Sequence, residues 1–395
     1  MDQADGPRLS AKAYFVDHDI ARAETLPASA FTDPEFLGLE VATIFSRSWL
    51  FVPQRSAGEL RNDSRSLTEM METRGSQLPV NLMGRPLFLQ RDWNGRLHCF
   101  PNVCTHAWHT LVEGPGRERM ITCPQHGRQF ETDGRFASQP GFKSAPEFPR
   151  ECDHLTDLPV EEWSPFVLAC LGNPAVSAAE LLLSLRESVA SLGLSSMSRR
   201  PHEMEAREVD GNWKQHAWNY MDRFHVGFIH RAPGGLADAI DLPSYRTELH
   251  GLSSLQWAYA RDAEAGFAPG SLPERFRDVK DPERRVFALW WFLFPNLTLN
   301  FYPWGLSVNV YQPVPDEPQR TLFLWYHYIR DEAKYAEKDR VWLDQQVDGE
   351  DVAALRQVAR GVRSGLAPRG RFAPTEESGP HWFHRLVYEY AFGER

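Results

Sequence analysis

Cys104-Thr105-His106 and Cys123-Pro124-Gln125-His126 are the two runs on which the reading of this chain turns. Each offers one thiolate and one imidazole, and 16 residues, 107–122, separate them. Two Cys with two His can hold a zinc ion, or a [2Fe-2S] cluster in which two His replace two Cys on one iron. Zinc sites of this composition pair Cys with Cys in one half and His with His in the other. Here each half pairs one Cys with one His. Two loops can then close on a binuclear cluster from opposite sides, the Cys pair on one iron and the His pair on the other. The order of ligands favours the cluster over zinc.

The rest of the composition bounds the setting. A chain of 395 residues is long enough for two domains with substantial cores. The net charge of −10, with no long basic run, argues against a nucleic-acid partner. The opening MDQADGPRLSAKAY lacks a charged-then-apolar signal pattern. The longest apolar run, FALWWFLF at 287–294, falls far short of the ~20 residues that span a bilayer. A cytoplasmic protein with no membrane segment is the expectation. The five Cys are an odd set in a large chain and suggest no disulfide framework. Cys99, Cys152 and Cys170 read as ordinary buried or half-buried thiols.

Patterning predicts an α+β chain with a small antiparallel β domain and a larger domain whose antiparallel sheet is flanked by helices. Residues 1–48 read as an arm and a helix belonging to the larger part. Thr32 and Asp33 are cap candidates before Pro34, and Phe36, Leu37, Val41, Ile44 and Phe45 follow at helical spacing. Residues 49–165 read as the small β domain. Asn94-Gly95 between two β-like runs is a strong hairpin signal, and Asp133-Gly134 marks another. Both ligand pairs then fall on loops between short strands. Residues 166–395 read as the larger domain, with a helix at 178–192, strand-like runs between 252 and 330, a helix over about 332–363, and a tail rich in Arg, Pro, Gly and aromatics.

A second site is written in GNWKQHAWNYMDRFHVGFIHR, residues 211–231. On a regular helix His225 and His230 would point about 140° apart, so a break is needed for both to face one ion, and Gly227 lies between them. Asp222, three residues before His225, would share its helical face. Two His need a third ligand. Asp351 in VDGEDVAALRQV is the choice, with Asp348 and Glu350 as fallbacks. A set of two His and one carboxylate leaves positions on Fe(II) open to O2 and substrate.

Taken together, Cys104, His106, Cys123 and His126, the Asn212-Trp213-Lys214 run, the Asn219…Asp222…His225…His230 spacing and a late acidic pair before a helix, which places Asp351 at the ligand position, resemble the large (α) subunit of Rieske non-haem iron oxygenases. The resemblance covers roughly residues 30–390. It implies a [2Fe-2S] Rieske cluster on the first four residues and a mononuclear Fe(II) on His225, His230 and Asp351. It implies O2 as co-substrate, with NAD(P)H electrons arriving through a reductase, directly or by way of a ferredoxin. Asn219 and Asp222 would be catalytic, Asp222 bridging a cluster His of one subunit to an iron His of its neighbour in a head-to-tail homotrimer. The runs NLTLNFYPWGLSVNV and RGRFAPTEESGPHWFHRL look like the homotrimeric branch around choline, glycine-betaine and carnitine monooxygenases.

The implied reaction is hydroxylation or oxidative demethylation of a small organic substrate, a quaternary ammonium or an aromatic compound. Aromatic-ring cis-dihydroxylation is the alternative. An electron-transfer Rieske protein with an inactive second site is the reading from another class. Trp213, Trp218, Tyr220, Trp290, Tyr302 and Trp304 are aromatics that could cage a cation, stack on a ring or simply form core. The chain departs from the family at Ala107-Trp108, where Arg-Gly is common, at Gln125, where an aromatic is common, and at Arg128, where Trp is common. An altered hydrogen-bond shell and cluster potential are the expected result.

Overall fold

The Asp92–Gly95 turn joins strands Arg85–Arg91 and Leu97–Pro101, with Gly95 at φ 93°, a conformation open to Gly at little cost. The computed structural model describes residues 9–54, 64–200 and 205–393; the first eight residues of the arm lie outside them. The hairpin belongs to a four-stranded sheet ordered Leu97–Pro101, Arg85–Arg91, Ser76–Leu82, Gly116–Arg117. A second small sheet pairs Ile121–Thr122, Gln129–Phe130 and Phe136–Ser138 about the Asp133-Gly134 turn. A third pairs Leu50–Phe51 with Phe166–Ala169 and that strand with Val160–Trp163. Phe88, Phe100, Leu111, Val112, Ile121, Phe130 and Leu155 form one apolar cluster that also contains Cys104 and Cys123. The Cys104 and Cys123 thiols are thus buried within this apolar core.

Residues 46–174 form one compact unit; the segments up to Phe45 and from Ala175 onward form another. In this second unit eight antiparallel strands make one sheet. Ser198–Arg199 and Glu205–Asp210 both pair with Glu317–Ile329, followed by Gly305–Val314, Leu297–Tyr302, Val286–Leu293, Ser253–Tyr259 and Arg246–His250. Every residue of Val286–Leu293 is buried, which is why its sequence shows no alternation of apolar and polar positions.

The first helix, Pro34–Thr43, starts where its caps predict: Asp33 Oδ1 accepts from Glu35 N at 2.8 Å. It ends earlier than the apolar spacing suggests, in a 3-10 turn at Phe45–Arg47. Its Glu40 is wholly buried, pairs with Lys214 Nζ at 2.7 Å and accepts from Trp213 Nε1 at 3.0 Å. The Asn-Trp-Lys run therefore anchors the site helix Trp213–Met221 to the N-terminal helix.

Two expectations change. The late segment is three helices, not one: Glu332–Ala336, Lys338–Val341 and Asp344–Arg363, with Leu343 at φ 59° making the corner. The bend lets Trp342 enter the core, where its Nε1 donates to Ala265 O at 3.0 Å. The tail holds a further helix, Ser378–Ala391, whose Phe383, Leu386, Val387 and Tyr390 are buried. Among the described residues no helix is long and apolar enough to cross a membrane.

Candidate metal centres

The two Cys-His loops are built alike. Cys104 N donates to His109 O at 2.8 Å and its carbonyl accepts from Trp108 N at 3.0 Å. Cys123 N donates to Arg128 O at 2.8 Å and its carbonyl accepts from Gly127 N at 3.0 Å. Both loops turn left-handed at the fifth position, Trp108 at φ 61° and Gly127 at φ 69°. Both Cys are buried, His106 is half-buried and His126 is exposed. The imidazoles meet edge to face with centroids 4.8 Å apart. Burial pushes the Cys104 thiol above its ordinary value, and Cys123 beside it adds to the effect. Two buried thiols with two imidazoles at the rim of that core are a donor set that fits a binuclear cluster with two His in place of two Cys.

The second site gathers residues from two helical segments. The Trp213–Met221 helix stops at Asp222, whose backbone is extended (φ −86°, ψ 97°). This differs from the expected break at Gly227, which lies inside the single turn Val226–Ile229. His225 and His230 flank that turn, so both rings point the same way. Asp222 reaches His225 through a turn, not along a helix face: its Oδ1 accepts from Phe224 N at 2.7 Å and its Oδ2 lies 3.5 Å from His225 Nδ1.

The Nε2 atoms of His225 and His230 are 3.2 Å apart, and Asp351 Oδ1 lies 3.5 Å and 3.2 Å from them. All three ligand atoms fall within 4.8 Å of one another. Glu350 Oε2 is 2.6 Å from His230 Nδ1, which makes that nitrogen the protonated one and leaves Nε2 with a lone pair. Asp351 Oδ1 is buried with no hydrogen-bond partner among the described residues. Lone pairs and a carboxylate oxygen that converge like this repel unless a cation sits among them, so the donor set fits a divalent metal. Burial would lower the His230 imidazole, yet the Asp351 and Glu350 carboxylates carry it above its ordinary value. Of the fallback ligands, Glu350 is occupied with His230 and Asp348 pairs with Arg207 at 2.6 Å.

A cavity of about 140 Å³ opens beside these three residues. Asn219, Tyr220, Tyr302 and Trp290 line it, whereas Trp213, Trp218 and Trp304 do not. Trp213 packs instead on Phe45 and Phe383. Sequence reading missed Tyr245, Trp325 and Asp344 on the wall. Asp344 had a legible signal, since Asp344, Asp348 and Asp351 recur at helical spacing on one face. Its Oδ2 is buried without a hydrogen bond among the described residues, 3.3 Å from His327 Nε2. Trp325 Nε1 donates to that same Nε2 at 2.7 Å. Burial holds the Tyr220, Tyr245 and Tyr302 phenols protonated, well above their ordinary value.

A family model of the Rieske [2Fe-2S] domain matches residues 66–149, and one of the ring-hydroxylating α-subunit catalytic domain matches residues 196–391. The chain belongs to the Rieske ring-hydroxylating oxygenases. The cofactors of this Rieske oxygenase are a [2Fe-2S] cluster and a mononuclear iron, and its electrons come from a reductase. It is 26% identical to the carnitine monooxygenase oxygenase subunit of Escherichia coli K12, over 92% of this chain and 93% of that one. It is 27% identical to the chloroplastic choline monooxygenase of Arabidopsis thaliana, over 93% and 83%. The solved quaternary ammonium Rieske monooxygenase CntA with L-carnitine superposes with a TM-score of 0.71 at 22% identity, covering 97% of this chain and 99% of that one. Naphthalene 1,2-dioxygenase from Rhodococcus sp. gives 0.64 at 17%, covering 94% and 95%. At these identities the two structures speak for the fold of the Rieske oxygenase.

Proposed function

We propose that this Rieske oxygenase hydroxylates a small ammonium compound at a C–H bond, in some substrates with loss of an N-methyl group. O2, two electrons and two protons yield one inserted oxygen atom and one water. The observation that carries the reading is the cavity wall: Tyr245, Trp290 and Tyr302 present aromatic rings, and Asp344 adds a buried carboxylate oxygen that has no hydrogen bond among the described residues. Aromatic faces and a carboxylate together favour a cation. The volume supports a small substrate, because a cavity of roughly 150 Å³ holds about one benzene molecule. The likeness to carnitine and choline monooxygenases points the same way.

Cys104, His106, Cys123 and His126 hold the cluster in this reading, and His225, His230 and Asp351 hold the iron. Iron held there would supply the activation of O2. Glu350 holds the proton at His230 Nδ1 and so keeps Nε2 free for the metal. Tyr220, whose hydroxyl donates to Asn300 Oδ1 at 2.7 Å, is fixed as part of the wall. Asn219 and Asp222 stand at the cavity edge, and Asp222 orients His225. In a cytoplasmic head-to-tail homotrimer Asp222 would face the cluster loops of a neighbouring chain and couple the two centres. A reductase, directly or through a ferredoxin, supplies the electrons.

The test is iron and acid-labile sulfide per chain, followed by O2 uptake with a reductase. A panel of trimethylammonium compounds and their neutral tert-butyl isosteres would be compared for wild type and Asp344→Asn. Turnover of the ammonium members alone, with KM raised by Asp344→Asn, is expected. Conversion of an arene to a cis-diol with no turnover of any ammonium compound would sink the substrate assignment.

A further inference from the structure

Arg128 stands two residues beyond His126 yet is only 1% exposed. Its guanidinium crosses to the other cluster loop. Nη1 donates to Thr105 Oγ1 at 2.7 Å and to Asp153 Oδ1 at 3.2 Å, while Nε donates to Gln139 Oε1. Thr105 sits between Cys104 and His106, and its hydroxyl donates to Asp153 O at 3.0 Å. Gln139 places its amide nitrogen 3.0 Å from His106 Nδ1. Phe136, Phe142 and Phe148 surround the guanidinium, with ring centroids 5.3, 5.5 and 5.5 Å from its central carbon. Phe142 also meets the His106 ring edge-on at 5.3 Å. Both cluster loops therefore share one buried cation, walled from water by three rings.

Such a charge has a consequence for electron uptake. Reduction adds a negative charge to the cluster, and a fixed cation in a water-poor setting stabilises the reduced form. Cluster potentials follow net charge and hydrogen bonding around the ligands. Asp153 opposes Arg128: one carboxylate oxygen is bound to the guanidinium and the other accepts from Arg150 N at 2.8 Å. We propose that Arg128 is a positioning residue of the Rieske centre, tying the two loops together and raising the reduction potential of the cluster, with Asp153 as the counter-charge. This rests on Cys104, His106, Cys123 and His126 being the cluster ligands.

The test uses the full-length holoenzyme purified anaerobically as wild type, Arg128→Gln, Arg128→Lys and Asp153→Asn. Sulfide content is measured first, and the cluster potential is then read by spectroelectrochemistry on the visible absorption. Arg128→Gln shifts the potential negative and Asp153→Asn shifts it positive. Arg128→Lys keeps the potential close to wild type while lowering sulfide per chain, because one ammonium cannot replace the fork that reaches Thr105, Asp153 and Gln139. A merely structural role would move both charge variants in the same direction or neither. An unchanged or negative shift in Asp153→Asn overturns the proposal even if Arg128→Gln fails to hold a cluster. Wild-type protein without sulfide would overturn the ligand assignment instead.

Discussion

Trp108 and Gly127 occupy the same place in two matching turns, with φ of 61° and 69°. Left-handed backbone is easy for Gly and costs a bulky residue about 1 kcal/mol or more. Trp108 is 83% exposed, so its ring recovers little of that cost within the chain. Trp108→Gly should therefore stabilise the cluster unit by roughly 0.5 kcal/mol, net of the extra freedom Gly has when unfolded. Chemical denaturation of the holoenzyme followed by cluster absorption reads this directly. A loss of stability would show that Trp108 makes a contact absent from the single chain.

Glu350 sits 2.6 Å from His230 Nδ1 and is the natural orienter of that ring. Glu350→Ala should weaken Fe(II) retention about 10- to 100-fold, the usual cost of removing such a partner. Glu350→Gln, whose amide oxygen still accepts, should fall between. Competition with a chelator measures both, and sulfide per chain should stay constant. Unchanged retention in Glu350→Ala would remove this role.

Asp222 touches His225 at 3.5 Å and caps Phe224 N through its other oxygen. Asp222→Asn keeps a capping oxygen but loses the charge. It should retain both metals and lose most turnover, seen as slow oxidation of the pre-reduced cluster in a single-turnover experiment with substrate and O2. Normal reoxidation would end the idea that Asp222 links the centres.

His384 lies buried in the larger unit, its Nδ1 accepting from Leu26 N at 3.0 Å, and burial pushes it down to about 3. A folded-state value below the unfolded one, about 6.5, means that unfolding takes up a proton. Its stabilising effect is complete above about pH 6.5 and is lost as pH falls toward 3, by about 1.4 kcal/mol per pH unit. His384→Gln should remove about one proton from the pH dependence of the urea midpoint between pH 6.5 and 4. The same slope in both proteins would count against it.

Much of this was readable from residue types at short spacing. Cys104, His106, Cys123 and His126 lie within loops of a few residues, where spacing alone limits what the side chains can reach. The same holds for the Asn94-Gly95 hairpin and the Asp33-Pro34 helix start, because turn and cap preferences are local to the backbone.

Other features depended on packing between distant segments. Glu350 and Asp351 are neighbours in sequence, and both lie about 120 residues from His230. Which one faces the imidazole Nε2 and which one holds Nδ1 follows from the azimuth of the Asp344–Arg363 helix, set by the corner at Leu343 and the burial of Trp342. Arg128 likewise read as a departure from a pattern. Only the approach of the two loops showed its guanidinium bonded to Thr105 on the far side of the site. Local spacing marked the candidate ligands; the packing of distant segments decided which side chains surround them, because a contact across a hundred residues has no signature in either segment alone.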